Sequence, residues 1–233
     1  INMNYADIKD IDIQDGQGIR TSLYVSGCHF HCKECHNKEA WDFSFGKKFD
    51  DFAKKRIFKN LEKDYIEGLS LLGGEPLELI NQQALVPFIK EVKEKFPNKD
   101  IWCWTGYDFE KDILNNMYKK YNFTRELLKY IDIIVDGQFE IEKHLVNLKF
   151  RGSYNQRKID VQESIKKNTL IRLQFGDEYR YEKNVAKESI AKENINYIPN
   201  IVVPVTQDIT ENNIFSPKVV AKTKDNLDIK EAL

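Results

Sequence analysis

The chain has no run of about twenty apolar residues, the length a helix needs to span a bilayer. It has no excess of either charge: 36 Lys and Arg stand against 37 Asp and Glu, for a formal net charge of −1. No global positive field favours nucleic acid or an anionic membrane, and neither is expected as a partner. The opening Ile1 to Tyr5 lacks the basic stretch followed by an apolar one that makes a secretory leader, and Met3 is the candidate start. Cysteine is scarce too, with four in 233 residues. Three are crowded together, and such close neighbours would pair only in strained loops, which excludes a disulfide framework. The expectation is a cytoplasmic protein in a reducing compartment. The length suffices for one sizeable core, or for one domain and an appendage.

What is present is the crowding itself. Cys28, Cys32 and Cys35 form a C-x3-C-x2-C run. Thiolates are soft ligands that favour zinc or iron–sulfur clusters. A structural zinc or a complete four-iron cluster takes four ligands, so three leave one metal position open for chemistry. His29, His31 or His36 could complete a Cys3His zinc site, although zinc ligands usually come as C-x2-C with a second pair at a distance. Alternatively, three thiolates hold three irons of a cubane and leave the fourth iron unique. In that case the histidines are neighbours, not ligands, and His36 beside Cys35 is a candidate cofactor contact. Cys103, between Trp102 and Trp104, reads as a buried structural thiol.

Short apolar, β-favouring runs at Ser22–Ser26, Leu69–Leu72, Ile101–Trp104 and Ile131–Val135 predict four strands. Between them, Phe49, Ala53, Ile57, Leu61 and Tyr65 recur in steps of four, as on a helix. Pro87 suits the first turn of a second helix with Phe88, Val92 and Phe96 on its apolar face and Pro97 stopping it. A third helix is expected through Ile113, Leu114 and Met117. Alternation of this kind implies βαβ crossovers and a mainly parallel sheet, whose ligands bind at the carboxyl ends of the strands. The cysteine loop, Gly73–Pro76, Thr105–Tyr107 and Asp136-Gly137 each follow a predicted strand directly, so four motifs should share one rim. Beyond about Ser164 the chain is richer in Lys, Glu and Asn. It has isolated β-like pieces at Thr169–Phe175 and Ile198–Val205, then a polar end from Lys222 to Leu233.

Alone, the other motifs say less. Gly73-Gly74-Glu75-Pro76 would let a ligand approach the backbone closely, with Glu75 complementing an amine, or it is a tight turn with a solvated carboxylate. Asp15-Gly-Gln-Gly-Ile-Arg20 is a phosphate loop only superficially, because it lacks the third glycine and precedes a strand.

Together, the three-cysteine loop after the first strand and Gly-Gly-Glu-Pro after the second resemble the radical S-adenosylmethionine superfamily. Asp15 through Cys28 resembles the entry segment of its glycyl-radical-enzyme activases. Cys35-His-Asn37, Trp41-Asp-Phe43, Trp104-Thr-Gly-Tyr107, Val135-Asp-Gly-Gln-Phe139 and Phe150-Arg-Gly-Ser-Tyr-Asn-Gln-Arg157 are similar to the family that activates anaerobic ribonucleoside-triphosphate reductase. The likeness runs from about Met3 to Val161.

The resemblance implies an α/β fold, a partial (βα) barrel of mainly parallel strands over residues 3–164, with a C-terminal extension at 165–233. It implies that Cys28, Cys32 and Cys35 hold a [4Fe–4S] cluster and that S-adenosylmethionine occupies the open iron. Gly73, Gly74 and Glu75 would bind its methionine end, and Glu34, Cys35 and His36 would flank its adenosyl part. A reduced flavodoxin-like donor would supply one electron. A 5′-deoxyadenosyl radical would then take hydrogen from a glycine of the large reductase subunit, and no side-chain acid or base is required.

Two departures stand out. Glu34 occupies a position where the activases commonly carry glycine, and the region after about residue 165 is absent from the compact members. The rival readings are an activase of the pyruvate formate-lyase type, a small-molecule radical S-adenosylmethionine enzyme such as a deazaguanine synthase, and a zinc-binding interaction module.

Overall fold

The computed structural model describes residues 3–176. Its eight strands are β1 (Asn4–Asp12), β2 (Arg20–Val25), β3 (Lys47–Lys48), β4 (Gly68–Gly73), β5 (Asp100–Thr105), β6 (Ile133–Asp136), β7 (Arg157–Asp160) and β8 (Arg172–Leu173). They form one sheet in the order β3-β1-β2-β4-β5-β6-β7-β8. The central four, β2, β4, β5 and β6, are the four strands expected from the sequence, and they run parallel. The outer pairings are antiparallel, so the fold is mixed α/β around a parallel centre. In register, Val25 stands opposite Gly73 and Thr105 opposite Asp136, which brings the carboxyl ends to one edge.

Alternation along each strand divides the side chains between two faces. Leu23, Leu71, Cys103 and Ile134 turn to one face and join the main core with Ile57 and Leu61 from α1 (Asp51–Leu61) and Phe88 and Val92 from α2 (Leu79–Lys95). Burying one such apolar side chain contributes roughly 1.5–3 kcal/mol, and this face carries the larger of the two clusters. Trp102, Val135 and Phe175 form a separate cluster, with Trp104 and Phe150 against it.

The helices depart from expectation in detail. α1 is capped by Asp50, whose carboxylate accepts from Ala53 N at 3.0 Å, and it ends before Tyr65, which is 50% exposed. Pro87 lies inside α2, not in its first turn. The first turns of α2 instead bury Asn81 and Gln82, whose amides bond backbone carbonyls of Ser26, Glu75 and Leu77. The segment expected as a third helix is π-helical over Phe109–Met117 and continues as α3 (Tyr118–Lys120), followed by α4 (Asn122–Leu128). α5 (Val161–Lys167) is capped by Asp160 and leads to β8, the only strand within the β-like piece Thr169–Phe175. The expectations for Ile198–Val205 and Lys222–Leu233 lie outside the described residues. Among the described residues no helix is long and apolar enough to cross a membrane.

The Asp15–Arg20 segment turns out to be a clamp. Arg20 is fully buried; its guanidinium donates to Ser70 Oγ at 2.7 Å and Leu69 O at 3.0 Å, and pairs with Asp100 at 2.6 Å. One side chain thus ties together the amino ends of β2, β4 and β5. Truncation to Arg20→Met strands these acceptors, and equilibrium urea unfolding should register a loss of about 3 kcal/mol.

Candidate active site

One cavity of about 680 Å³ occupies the carboxyl edge of the parallel strands. Cys28, Cys32 and Cys35 line it from the loop after β2, and Gly73, Gly74 and Glu75 from the turn after β4. Thr105 and Gly106 after β5, and Gly137 after β6, complete the ring of strand ends. All four segments expected on one rim therefore meet around one volume, within the 300–1,000 Å³ range typical of small-molecule sites.

The cysteine loop is pinned at both sides by backbone bonds. Gly27 N donates to Ala40 O at 2.8 Å and Cys28 N to Trp41 O at 3.1 Å. Phe30 packs edge-on against Tyr107 at 4.7 Å and the His31 ring packs, tilted, against Trp41 at 4.5 Å. His31 and Glu34 hold φ of +48° and +56°, so the loop reverses twice through left-handed residues. The Glu34 conformation is one that glycine adopts freely and an L residue seldom does. Its carboxylate is exposed and lies 3.7 Å from Lys38, away from the cavity lining. His36 lines the cavity, 5.7 Å from the Phe139 ring. His29 turns instead to Glu78, 2.9 Å away.

All three loop thiols are free. Burial pushes Cys28 up to about 12, against backbone N–H groups of Phe30 and His31. Burial also raises Cys32, opposed by the Phe139 amide. Such thiols ionise when a bound cation offsets the lost hydration. Among the described residues no three His, Cys, Asp or Glu side chains converge on a single ion. A four-iron cubane places each thiolate on its own iron, and three thiols spaced around a shared cavity meet that need. Trp41 adds a buried indole N–H without a partner among the described residues, on the same cavity wall. The residues present fit an iron–sulfur cluster with three protein ligands. Cys103 stands on the opposite, helix-covered face, fully buried.

The glycines after β4 are dictated by the protein's own packing. A Cβ on Gly73, where φ is +109°, would lie 2.7 Å from Tyr24 Cα, and one on Gly74 would lie 2.6 Å from Gly27 O and 2.7 Å from Ala40 O. Glu75 is 1% exposed, and its carboxylate accepts from Leu77 N at 2.8 Å and Gly106 N at 2.7 Å. It bridges the ends of β4 and β5. Burial pushes it up to about 8, opposed by the two amides and the Thr105 hydroxyl.

A second polar group on the cavity wall is not legible in the sequence. Tyr24 Oη donates to Asp15 and lies 3.3 Å from Asp12, while Lys9 lies 4.7 Å above the Tyr24 ring. Burial, with Asp12 adding to it, raises Asp15 to about 6. A carboxyl raised on folding favours the fold below its unfolded value near 3.8 and loses that contribution as pH climbs through about 6. Asp15→Asn should therefore raise the melting temperature relative to the parent above pH 6 and change it little below pH 4.

A family model described as "4Fe-4S single cluster domain" matches residues 14–159. The chain is 41% identical over 156 residues to a protein of Pasteurella multocida named anaerobic ribonucleoside-triphosphate reductase-activating protein, covering 66% of this chain and 95% of that one. Proteins of the same name from Haemophilus influenzae and Enterobacteria phage T4 are each 42% identical over 156 residues, covering 66% of this chain and 96% and 92% of theirs. With its cysteine loop and strand ends gathered on one cavity, the chain belongs to the family of anaerobic ribonucleoside-triphosphate reductase-activating proteins, built on a 4Fe-4S single cluster domain.

Proposed function

We propose that this chain is a radical S-adenosylmethionine activase that installs a glycyl radical on the large subunit of anaerobic ribonucleoside-triphosphate reductase. The observation that carries the reading is the convergence of Cys28, Cys32 and Cys35 with the β4, β5 and β6 strand ends on one cavity. A [4Fe–4S] cluster held by these three cysteines would supply the one-electron reduction of S-adenosylmethionine by which hydrogen is taken from a protein glycine. The chain's own residues bind, orient and exclude water. The three cysteines hold the cluster, and backbone groups at Gly73, Gly74 and Glu75 receive the methionine end. Cys35 and His36 flank the adenosyl part; Glu34 contributes through the backbone turn it makes. No side chain is required as acid or base.

The finer fold reading belongs here also. A partial barrel is supported by contacts between the loops after β2 and β6, which are three places apart in the sheet: Lys33 pairs with Glu142 at 3.1 Å, and His36 packs near Phe139. Residues 165–233 are read as a C-terminal extension, a reduced flavodoxin-like protein as electron donor, and the cytoplasm as the compartment.

Anaerobic reconstitution tests the function. A brown protein with about four irons per chain, cleaving S-adenosylmethionine under reduction and producing a glycyl signal on the reductase by electron paramagnetic resonance, is the expected result. A colourless protein with one zinc per chain would falsify it.

A further inference from the structure

The segment Phe150–Arg157 is specific to the family resemblance, yet it supplies no cluster ligand. In the structure it is an irregular stretch whose backbone groups are taken up by side chains. Trp104 Nε1 donates to Phe150 O at 2.8 Å, and His144 Nδ1 lies 2.7 Å from Gly152 O. Gln156 makes three such bonds at once. Its Oε1 accepts from Gly152 N at 2.8 Å and Ser153 N at 3.1 Å, and its Nε2 donates to Gly137 O at 3.0 Å. The side chain is 9% exposed. Loops normally satisfy such groups with water; this one is bolted to the end of β6.

The bracing has a purpose visible in what it presents. Phe150, Arg151 and Gly152 line the cavity. Phe150 is held at φ +56°, a conformation its Cβ disfavours and the surroundings impose. The Arg151 guanidinium lies 4.2 Å over the Phe175 ring. The cysteine loop and Gly73–Glu75 follow neighbouring strands β2 and β4, whereas this wall attaches beyond β6. With the methionine end at Gly73–Glu75 and the adenosyl part beside His36 and Phe139, the Phe150–Gly152 side of the cavity is the part left for the second substrate. At that margin Val146 is 90% exposed, two residues before cavity-lining Leu148, an apolar contact suited to a polypeptide.

We propose that Gln156 is a positioning residue for the radical transfer, fixing the Phe150–Gly152 wall against the β6 end so that this wall seats the partner's glycine-bearing polypeptide and not the cofactor. The inference rests on the functional reading above. Gln156 itself borders the cavity, but both its amide oxygen and its amide nitrogen are engaged by its own chain, which assigns it to holding the wall.

Two variants test it in the reconstituted holoprotein. Gln156→Met keeps the length and removes the amide; Gln156→Glu keeps the acceptor but donates to Gly137 O only when protonated. Gln156→Met should retain its cluster absorbance and bind S-adenosylmethionine within twofold of the parent. Its affinity for purified anaerobic reductase, by calorimetry, should fall at least tenfold, KM for the reductase should rise as much, and more S-adenosylmethionine should be cleaved per glycyl radical formed. Gln156→Glu should fall between, improving as pH is lowered. Unchanged reductase affinity and coupling in Gln156→Met overturn the proposal. So does loss of cluster and S-adenosylmethionine binding in both variants, which marks a general structural role. A parent protein that cleaves no S-adenosylmethionine fails the functional reading instead, before either variant is compared.

Discussion

Alanine at Cys28, Cys32 or Cys35 is expected to abolish iron loading and to lower S-adenosylmethionine cleavage at least a thousandfold, about 4 kcal/mol or more of barrier. Each thiol lines the shared cavity; His29 is directed to Glu78 and His31 is packed against Trp41, which leaves His36 as the one loop histidine on the cavity, beside Cys35. Cys103→Ala should behave oppositely. Its thiol lies in the core between sheet and helices, so the variant should keep about four irons and lose only about 1 kcal/mol of stability to the small void left behind. Iron analysis and the cluster's visible absorbance distinguish the two outcomes directly. Loss of iron in Cys103→Ala would show the ligand assignment to be wrong.

Gly74→Ala should cost about 3 kcal/mol, the upper end for overpacking, and weaken S-adenosylmethionine binding by tenfold or more. The atoms an added methyl would strike, Gly27 O and Ala40 O, are backbone. Neither can yield: Gly27 N already bonds Ala40 O at 2.8 Å, and Gly27 O accepts from Glu75 N at 2.8 Å. Relief would push the turn after β4 away from Cys28. Gly73→Ala should cost more still, because φ of +109° is added to the collision with Tyr24. Chemical denaturation and ligand titration on the same samples separate the stability loss from the binding loss. A Gly74→Ala protein of parental stability and affinity would mean that the strand end and the cysteine loop are not locked together.

The parallel centre of the fold was legible because β2, β4, β5 and β6 are short apolar runs, buried on the helix-covered face and closed by glycine or polar turns. The edges were not. β1 reads Asn-Tyr-Ala-Asp-Ile-Lys-Asp-Ile-Asp, with only Ile8 and Asp12 buried, so neither apolarity nor alternation announces a strand. α2 was begun too late for a related reason: its buried Asn81 and Gln82 satisfy backbone carbonyls and do not register on an apolar face. At the site, thiols and glycines speak for themselves in sequence. The Tyr24–Asp15 pair and the Gln156 brace do not, since each draws meaning from partners brought close only by the folded chain.

The cysteine loop's anchors have a consequence for the life of the protein outside catalysis. In zinc fingers the metal's binding energy is the folding energy. Here the core from Leu23 through Phe88 to Ile134 includes none of the three loop cysteines. The loop itself is fastened by Phe30 over Gly106 and by Glu78 accepting from His29 N at 3.0 Å. The main core is thus built without a cluster ligand, and the fold is expected to outlast loss of the metal. Metal loss on exposure to oxygen is then expected to leave the chain folded, so that iron and sulfide alone restore the cluster, a result that circular dichroism of the metal-free protein checks.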